Sequence, residues 1–185
     1  LGRALGYDVD NQWHHQDGRL LLFLGDLIDR GSHSLEVSQL VMELTQKRRA
    51  ACLMGNHEYN IVAHQLGVPG FENPKTSNAA TIQQIHRDKQ NWAPILTFFR
   101  NLPVSVALPG IRMVHACWHK PSIEALGSTL STPTQGAEKD EQNDLAAWIA
   151  QNIVHHSPFD ENRLRPGLPD ALPGQEDRPH EILMK

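Results

Sequence analysis

Two short stretches of the chain, Leu20 to Gly31 (LLLFLGDLIDRG) and Ala50 to Tyr59 (AACLMGNHEY), run from apolar residues through a glycine straight into groups that bind metal or move protons. The first offers Asp26, Asp29 and Arg30, the second Asn56, His57 and Glu58. Carboxylate and amide oxygens with an imidazole nitrogen form a hard-to-borderline ligand set, suited to Mn, Fe, Zn or Mg and not to thiolate-seeking ions. If Asp26 and Asn56 project from neighbouring strand ends they meet over one site, and a carboxylate has two oxygens with which to bridge two cations. Two cations roughly 3.5–4 Å apart clamp a phosphate and present a bridging water in line with the leaving oxygen. His57 is then available to protonate that oxygen, with Asp29 orienting the imidazole. Arg30 has the planar fork that grips phosphate oxygens. Simpler readings stand beside this one: Asp29 and Arg30 as a surface ion pair, and Gly55-Asn56-His57 as a plain turn with a helix cap.

The elements around these turns must bring them together. Leu20 to Leu24 is apolar without alternation, which predicts a strand buried on both faces, and Ala50 to Met54 predicts a second. Between them Ser32 or Ser34 can cap a helix reaching about Arg49, with Val37, Leu40, Val41 and Leu44 on one face. Lys47, Arg48 and Arg49 then fall in its last turn, where the helix dipole favours cations. Strand, helix and strand form a parallel right-handed βαβ unit, so both polar turns follow the carboxyl ends of adjacent strands, where open α/β sheets bind ligands.

Upstream, Arg3-Ala4-Leu5 reads as a helix end closed by Gly6, followed by a polar loop to Gly18. Downstream, a helix is expected from about Glu58 to Leu66, and Phe71 to Ser77 reads as loop. Two amphipathic pieces follow, Ala79 to Lys89 with Ile82 and Ile85, and Trp92 to Phe99. Together they suggest a helical layer or cap over about residues 70–100. Val104, Val106 and Leu108, the turn Pro109-Gly110, then Ile111, Met113 and His115 predict a hairpin ending in VHACWH, Val114 to His119. A histidine at such a strand end is most simply a hydrogen-bonded core residue. Residues 127–144 read as a solvated loop, Leu145 to Val154 as a short helix, Ser157 to Pro179 as irregular, proline-rich chain, and His180 to Lys185 as a first helical turn.

A chain of 185 residues with 39% apolar content supports one domain with a substantial core. Mean hydropathy of -0.44 fits a water-soluble protein, and no apolar run approaches the roughly 20 residues needed to span a bilayer. A net charge of -4 gives no basis for a nucleic-acid coat. Cys52 and Cys117 sit in apolar contexts and read as two buried thiols in a reducing cytoplasm. His14, His15, His155 and His156 lie in polar segments and read as surface histidines.

GDLIDRG (Gly25 to Gly31) and GNHE (Gly55 to Glu58) resemble two signature blocks of the calcineurin-like metallophosphoesterase superfamily, closest to the branch of serine/threonine protein phosphatases and bacterial diadenosine tetraphosphatases. VHACWH is similar to the next block. The resemblance implies an α/β fold of two mixed sheets packed as a sandwich with flanking helices. It implies that Asp26 bridges two divalent metal ions, manganese foremost, and that Asn56 and His115 bind one of them. His57 is then the acid, Asp29 its support and Arg30 the holder of substrate phosphate, with His119 left unassigned. The family's opening Asp-x-His block has no counterpart before Leu20, and Pro179-His180-Glu181 is a poor substitute for its later Gly-His block. The expectation is therefore an internal piece of a longer phosphoesterase, with one metal site at best complete.

The leading expectation is an enzyme hydrolysing a phosphomonoester or phosphoanhydride, its substrate a phosphoprotein or a dinucleoside polyphosphate. The alternative is a degenerate relative that binds phosphate or a protein partner without catalysis. Residues 70–100 and the loop after Gly127 are where substrates would be discriminated.

Overall fold

The computed structural model describes residues 1–68, 70–72, 78–108 and 111–125. The expectations for the 109–110 turn, for 73–77 and for everything beyond residue 125 lie outside those residues. That includes the 127–144 loop, the 145–154 helix, His155, His156 and the proline-rich tail.

The first strand, helix and second strand form as expected. Leu21–Phe23 (β3) pairs in parallel with Ala50–Cys52 (β4), Leu21 opposite Ala50 and Phe23 opposite Cys52. Ser34–Gln46 (α1) makes the crossover. Burial differs between the two strands. All of β4 is buried, whereas Leu22 and Leu24 are 41% and 46% exposed. Among the described residues β3 pairs with β4 alone, so its outward face lacks the cover that two-sided burial requires.

The inward face of α1 is also rotated from the expected one. Ser34, Ser38, Val41 and Leu44 are buried, while Val37 is 39% exposed. The physical reason lies at the helix start. Ser34 Oγ accepts from the Asp29 backbone N–H at 3.3 Å, and Ser38 Oγ donates to the Ser34 carbonyl at 2.7 Å. The Ser34 hydroxyl ties the start of α1 to the Asp29 turn, and the Ser38 hydroxyl, bonded within its own helix, is buried on the same face. The helix ends at Gln46 with no basic residue in its last turn, and Arg48 takes a left-handed φ of 57°. The Lys47–Arg49 cluster forms the capping turn just past the last helical residue, the N–H groups of Lys47 and Arg49 donating to the Glu43 and Leu44 carbonyls, and leads into β4.

Near the start, Arg3–Leu5 is a single 3-10 turn closed by left-handed Gly6. The expected polar loop instead holds a small antiparallel ladder, Tyr7–Asp8 (β1) with His14–His15 (β2). His15 is buried, packed edge-on to Tyr7 at 4.9 Å, and its Nδ1 accepts from the Asp17 N–H at 3.1 Å. The aromatic partner makes it a core histidine and not the surface one its neighbours suggest.

Asn56–Gln65 (α2) starts two residues earlier than expected. Ala79–Arg87 (α3) and Lys89–Arg100 (α4) follow. Trp92, Ile95 and Phe99 of α4 are fully buried and share one core with Ile28, Met54 and Ile61. The hairpin is present as Ser105–Leu108 (β5) paired antiparallel with Ile111–Val114 (β6). It joins the β4 side through Met54 N–H donating to the Pro103 carbonyl at 2.9 Å, and through a small cluster of Leu53, Val106 and Met113. A short helix, Lys120–Ala125 (α5), follows. The described residues therefore carry a mixed α/β fold with three two-stranded sheets. None of their helices is long and apolar enough to cross a membrane.

Candidate functional site

The two glycine-led turns touch backbone to backbone. Gly25 has φ +89°, and a Cβ there would lie 2.4 Å from the Gly55 nitrogen. A Cβ on Gly55 would lie 2.6 Å from both the Asp26 nitrogen and Asp26 Oδ1. No larger residue fits either position without moving main chain.

Glu58, wholly buried, locks this approach. Its Oε2 accepts from the backbone N–H groups of Asp26 at 2.9 Å and Gly55 at 3.1 Å, and its Oε1 from that of Leu27 at 2.7 Å. The Gly55 bond is the backward reach of a third-position glutamate that closes a helix N-terminus. The other two stitch in the opposite turn, 31 to 32 residues away. Burial pushes the Glu58 carboxyl above the ordinary carboxylate range, against the backbone N–H groups of Asp26, Leu27 and Glu58 itself that draw it down. Asp26 and Asp29 both sit at positive φ, 57° and 77°, a conformation aspartate tolerates better than most residues.

The first two residues of α2, Asn56 and His57, therefore arrive beside Asp26. His57 Nδ1 lies 2.7 Å from Asp29 Oδ2; an ionised carboxylate only accepts, so the ring donates from Nδ1. Its Nε2 is turned toward Asp26, 4.0 Å from Oδ2. Asp29 receives two further donors, Asn78 Nδ2 on Oδ2 and Thr81 Oγ1 on Oδ1. Its side chain is 1% exposed and that of His57 8%.

From the hairpin, His115 donates Nδ1–H to the Leu24 carbonyl. This sets the tautomer and turns Nε2 toward Asp26 Oδ1, 3.4 Å away. The side chains brought together are thus Asp26, Asp29, His57 and His115. Asn56 is half-buried next to His57, and Arg30 is exposed one residue after Asp29. His119 serves α5 instead, where its Nδ1 accepts from the Ser122 N–H at 3.3 Å.

Three contributors were not assigned from sequence. Glu58 carries a readable signal, a glutamate three residues after a glycine that opens a helix. Asn78 and Thr81 look like ordinary residues at a loop-to-helix boundary, and only their burial shows their use. The expectation of two buried thiols holds for Cys52 and not for Cys117, which is exposed. Cys117 follows β6, beyond the ladder that would have covered it.

Among the described residues no group of three or more His, Cys, Asp and Glu stands close enough to hold a metal ion unaided. Asp26 and His115 nevertheless converge with an oxygen and a nitrogen, and Asn56 adds an amide oxygen nearby in sequence. That donor set suits part of the coordination sphere of a divalent cation.

A mixed α/β protein whose carboxylate–imidazole cluster lies past the carboxyl ends of parallel strands is of the ligand-binding class such sheets build. More narrowly, the chain belongs to the calcineurin-like phosphoesterases, whose family model matches residues 8–177. Members of this family generally use divalent metal ions. The chain is 30% identical over 129 residues to a Bacillus subtilis protein named bis(5'-nucleosyl)-tetraphosphatase PrpE [asymmetrical], covering 60% of this chain and 51% of that one. A protein of the same name from Halalkalibacterium halodurans is 45% identical over 64 residues, 34% of this chain and 26% of its own. A bis(5'-nucleosyl)-tetraphosphatase, symmetrical, from Actinobacillus pleuropneumoniae is 32% identical over 98 residues, 52% of this chain and 33% of its own. The chain thus spans about half the length of these relatives or less. No match was found among solved structures.

Proposed function

We propose that this site hydrolyses a phosphoanhydride or phosphomonoester, with dinucleoside polyphosphates as the first substrate class and phosphoprotein as the second. The carrying observation is the sealed Asp29–His57 pair, whose free Nε2 faces Asp26 at 4.0 Å. The names of the relatives support the choice of dinucleoside polyphosphates.

Asp26, Asn56 and His115 would hold divalent metal, with Asp26 shared between two ions and manganese the first candidate. When bound, such ions supply Lewis-acid charge at the phosphoryl group and lower the pKa of water. The chain's own residues do the rest. Arg30 grips non-bridging phosphate oxygens through its guanidinium. As a water oxygen bonds to phosphorus and the bond to the leaving oxygen breaks, protonated His57 gives its Nε2 proton to that oxygen, and the ring returns to neutral. Asp29 keeps Nδ1 protonated and Nε2 aimed throughout.

The test is turnover by the full-length protein with added Mn of diadenosine tetraphosphate against a phosphopeptide. Metal-stimulated cleavage is expected, fastest on the dinucleotide. Asp26→Asn should cut kcat by about 1,000-fold and His57→Ala by about 100-fold. Saturable phosphate binding with no turnover of either substrate would overturn the proposal in favour of a non-catalytic phosphate-binding module.

A further inference from the structure

We infer that Asn78 and Thr81, at the opening of α3, are positioning residues for His57, acting through the Asp29 carboxylate; this rests on the reading of His57 as the proton donor. Both side chains are buried, Asn78 at 2% and Thr81 at 0% exposure. Both donate to Asp29 from 49 and 52 residues away in sequence.

A carboxylate as enclosed as Asp29 needs donors in place of the water it has lost. Thr81 occupies Oδ1, while Asn78 shares Oδ2 with the His57 ring. Neither oxygen is then free to swing, and the position left to His57 is a single one. The amide of Asn78 shows what the arrangement costs. With Nδ2 on Asp29, its Oδ1 is buried and has no hydrogen-bond partner among the described residues. An unsatisfied buried oxygen is unfavourable. Turning the amide over would instead set oxygen against carboxylate, so the orientation follows from the charge on Asp29.

An imidazole held this firmly keeps Nε2 on the line of proton delivery. Without Thr81 or Asn78 the carboxylate can rotate, and the ring with it. The loss should therefore depend on how much the leaving oxygen needs a proton. A p-nitrophenolate departs nearly unaided, whereas phenolate gains from protonation. A merely structural residue would lower both reactions together.

The experiment compares phenyl phosphate with p-nitrophenyl phosphate on the Mn-loaded full-length protein. Thr81→Val and Asn78→Ala should reduce kcat on phenyl phosphate by about 10- to 100-fold. The nitro ester should slow by less than about 3-fold with KM unchanged, since a group acting only on proton delivery leaves binding alone. Thr81→Ser, which retains the hydroxyl, should restore the wild-type ratio. A second readout needs neither metal nor turnover: the downfield proton resonance of His57 Nδ1–H, identified by its loss in His57→Ala, should shift or vanish in Thr81→Val and return in Thr81→Ser. Equal slowing of both esters with an unmoved resonance would overturn the inference, as would wild-type behaviour in both variants. If the wild type hydrolyses neither ester, the phosphoesterase reading is decided by diadenosine tetraphosphate as above, and the proton resonance alone decides whether α3 fixes His57.

Discussion

Asp26 and Asp29 lie three residues apart in one turn, both at positive φ, yet they end in opposite surroundings. The Asp29 side chain is 1% exposed and carries His57, Asn78 and Thr81. The Asp26 side chain is 32% exposed, its nearest described ring nitrogens 3.4 and 4.0 Å away. One carboxylate has fixed partners, and the other faces open space. The difference does not come from the turn, which supplies both. It comes from α3, whose first turn covers Asp29 and leaves Asp26 untouched. On the proposed reading, the group that holds the proton donor steady is sealed, and the group that meets exchangeable ligands is not.

The largest expected effect bears on what both sides share. Glu58→Ala would leave the N–H groups of Asp26, Leu27 and Gly55 without their acceptor, destabilising the fold by about 4 kcal/mol. Urea unfolding measures this, and a loss below about 1 kcal/mol would mean that the turns hold themselves. Next, the same substitution on the two aspartates should separate them. Asp29→Asn sets an NH2 against a buried donor and should cost about 2–3 kcal/mol, whereas Asp26→Asn should stay within about 0.5 kcal/mol of wild type. Equal losses would break the contrast between closed and open sides. The smallest perturbation probes the same contrast with the thiols. Burial drives the Cys52 pKa upward, which withholds thiolate as pH rises, while Cys117 is exposed. At mildly alkaline pH, Ellman's reagent should modify Cys117 at least about 100-fold faster, Cys52 reacting only on unfolding.

Much of the scaffold was legible because its signals are local. Two apolar runs around an amphipathic segment gave β3, α1 and β4, and the glycines before Asp26 and Asn56 marked where each apolar run gives way to a polar turn. What stayed hidden depends on distant partners. Val37 and Val41 are alike as residues, and the tie from Ser34 to the Asp29 turn, not residue type, sets which turns inward. Leu22 looks as buried as Phe23 until its neighbours are counted. His15 gains its burial from Tyr7, and the use of Asn78 and Thr81 depends on an aspartate 49 and 52 residues earlier. A polar side chain at a helix start has many local uses, and the sequence does not say which one the fold selects.

The stitch made by Glu58 also has a meaning in time. The turn bearing Asp26 and Asp29 is held in left-handed backbone by bonds reaching 31 to 52 residues forward. Closing such long loops is slow compared with forming helices. On the ribosome, residues 26–30 emerge well before Glu58 and Thr81, and until those arrive the two aspartates lack these tethers. The chemistry of the first turn thus waits for residues made after it, and becomes possible only once the helices that follow have emerged.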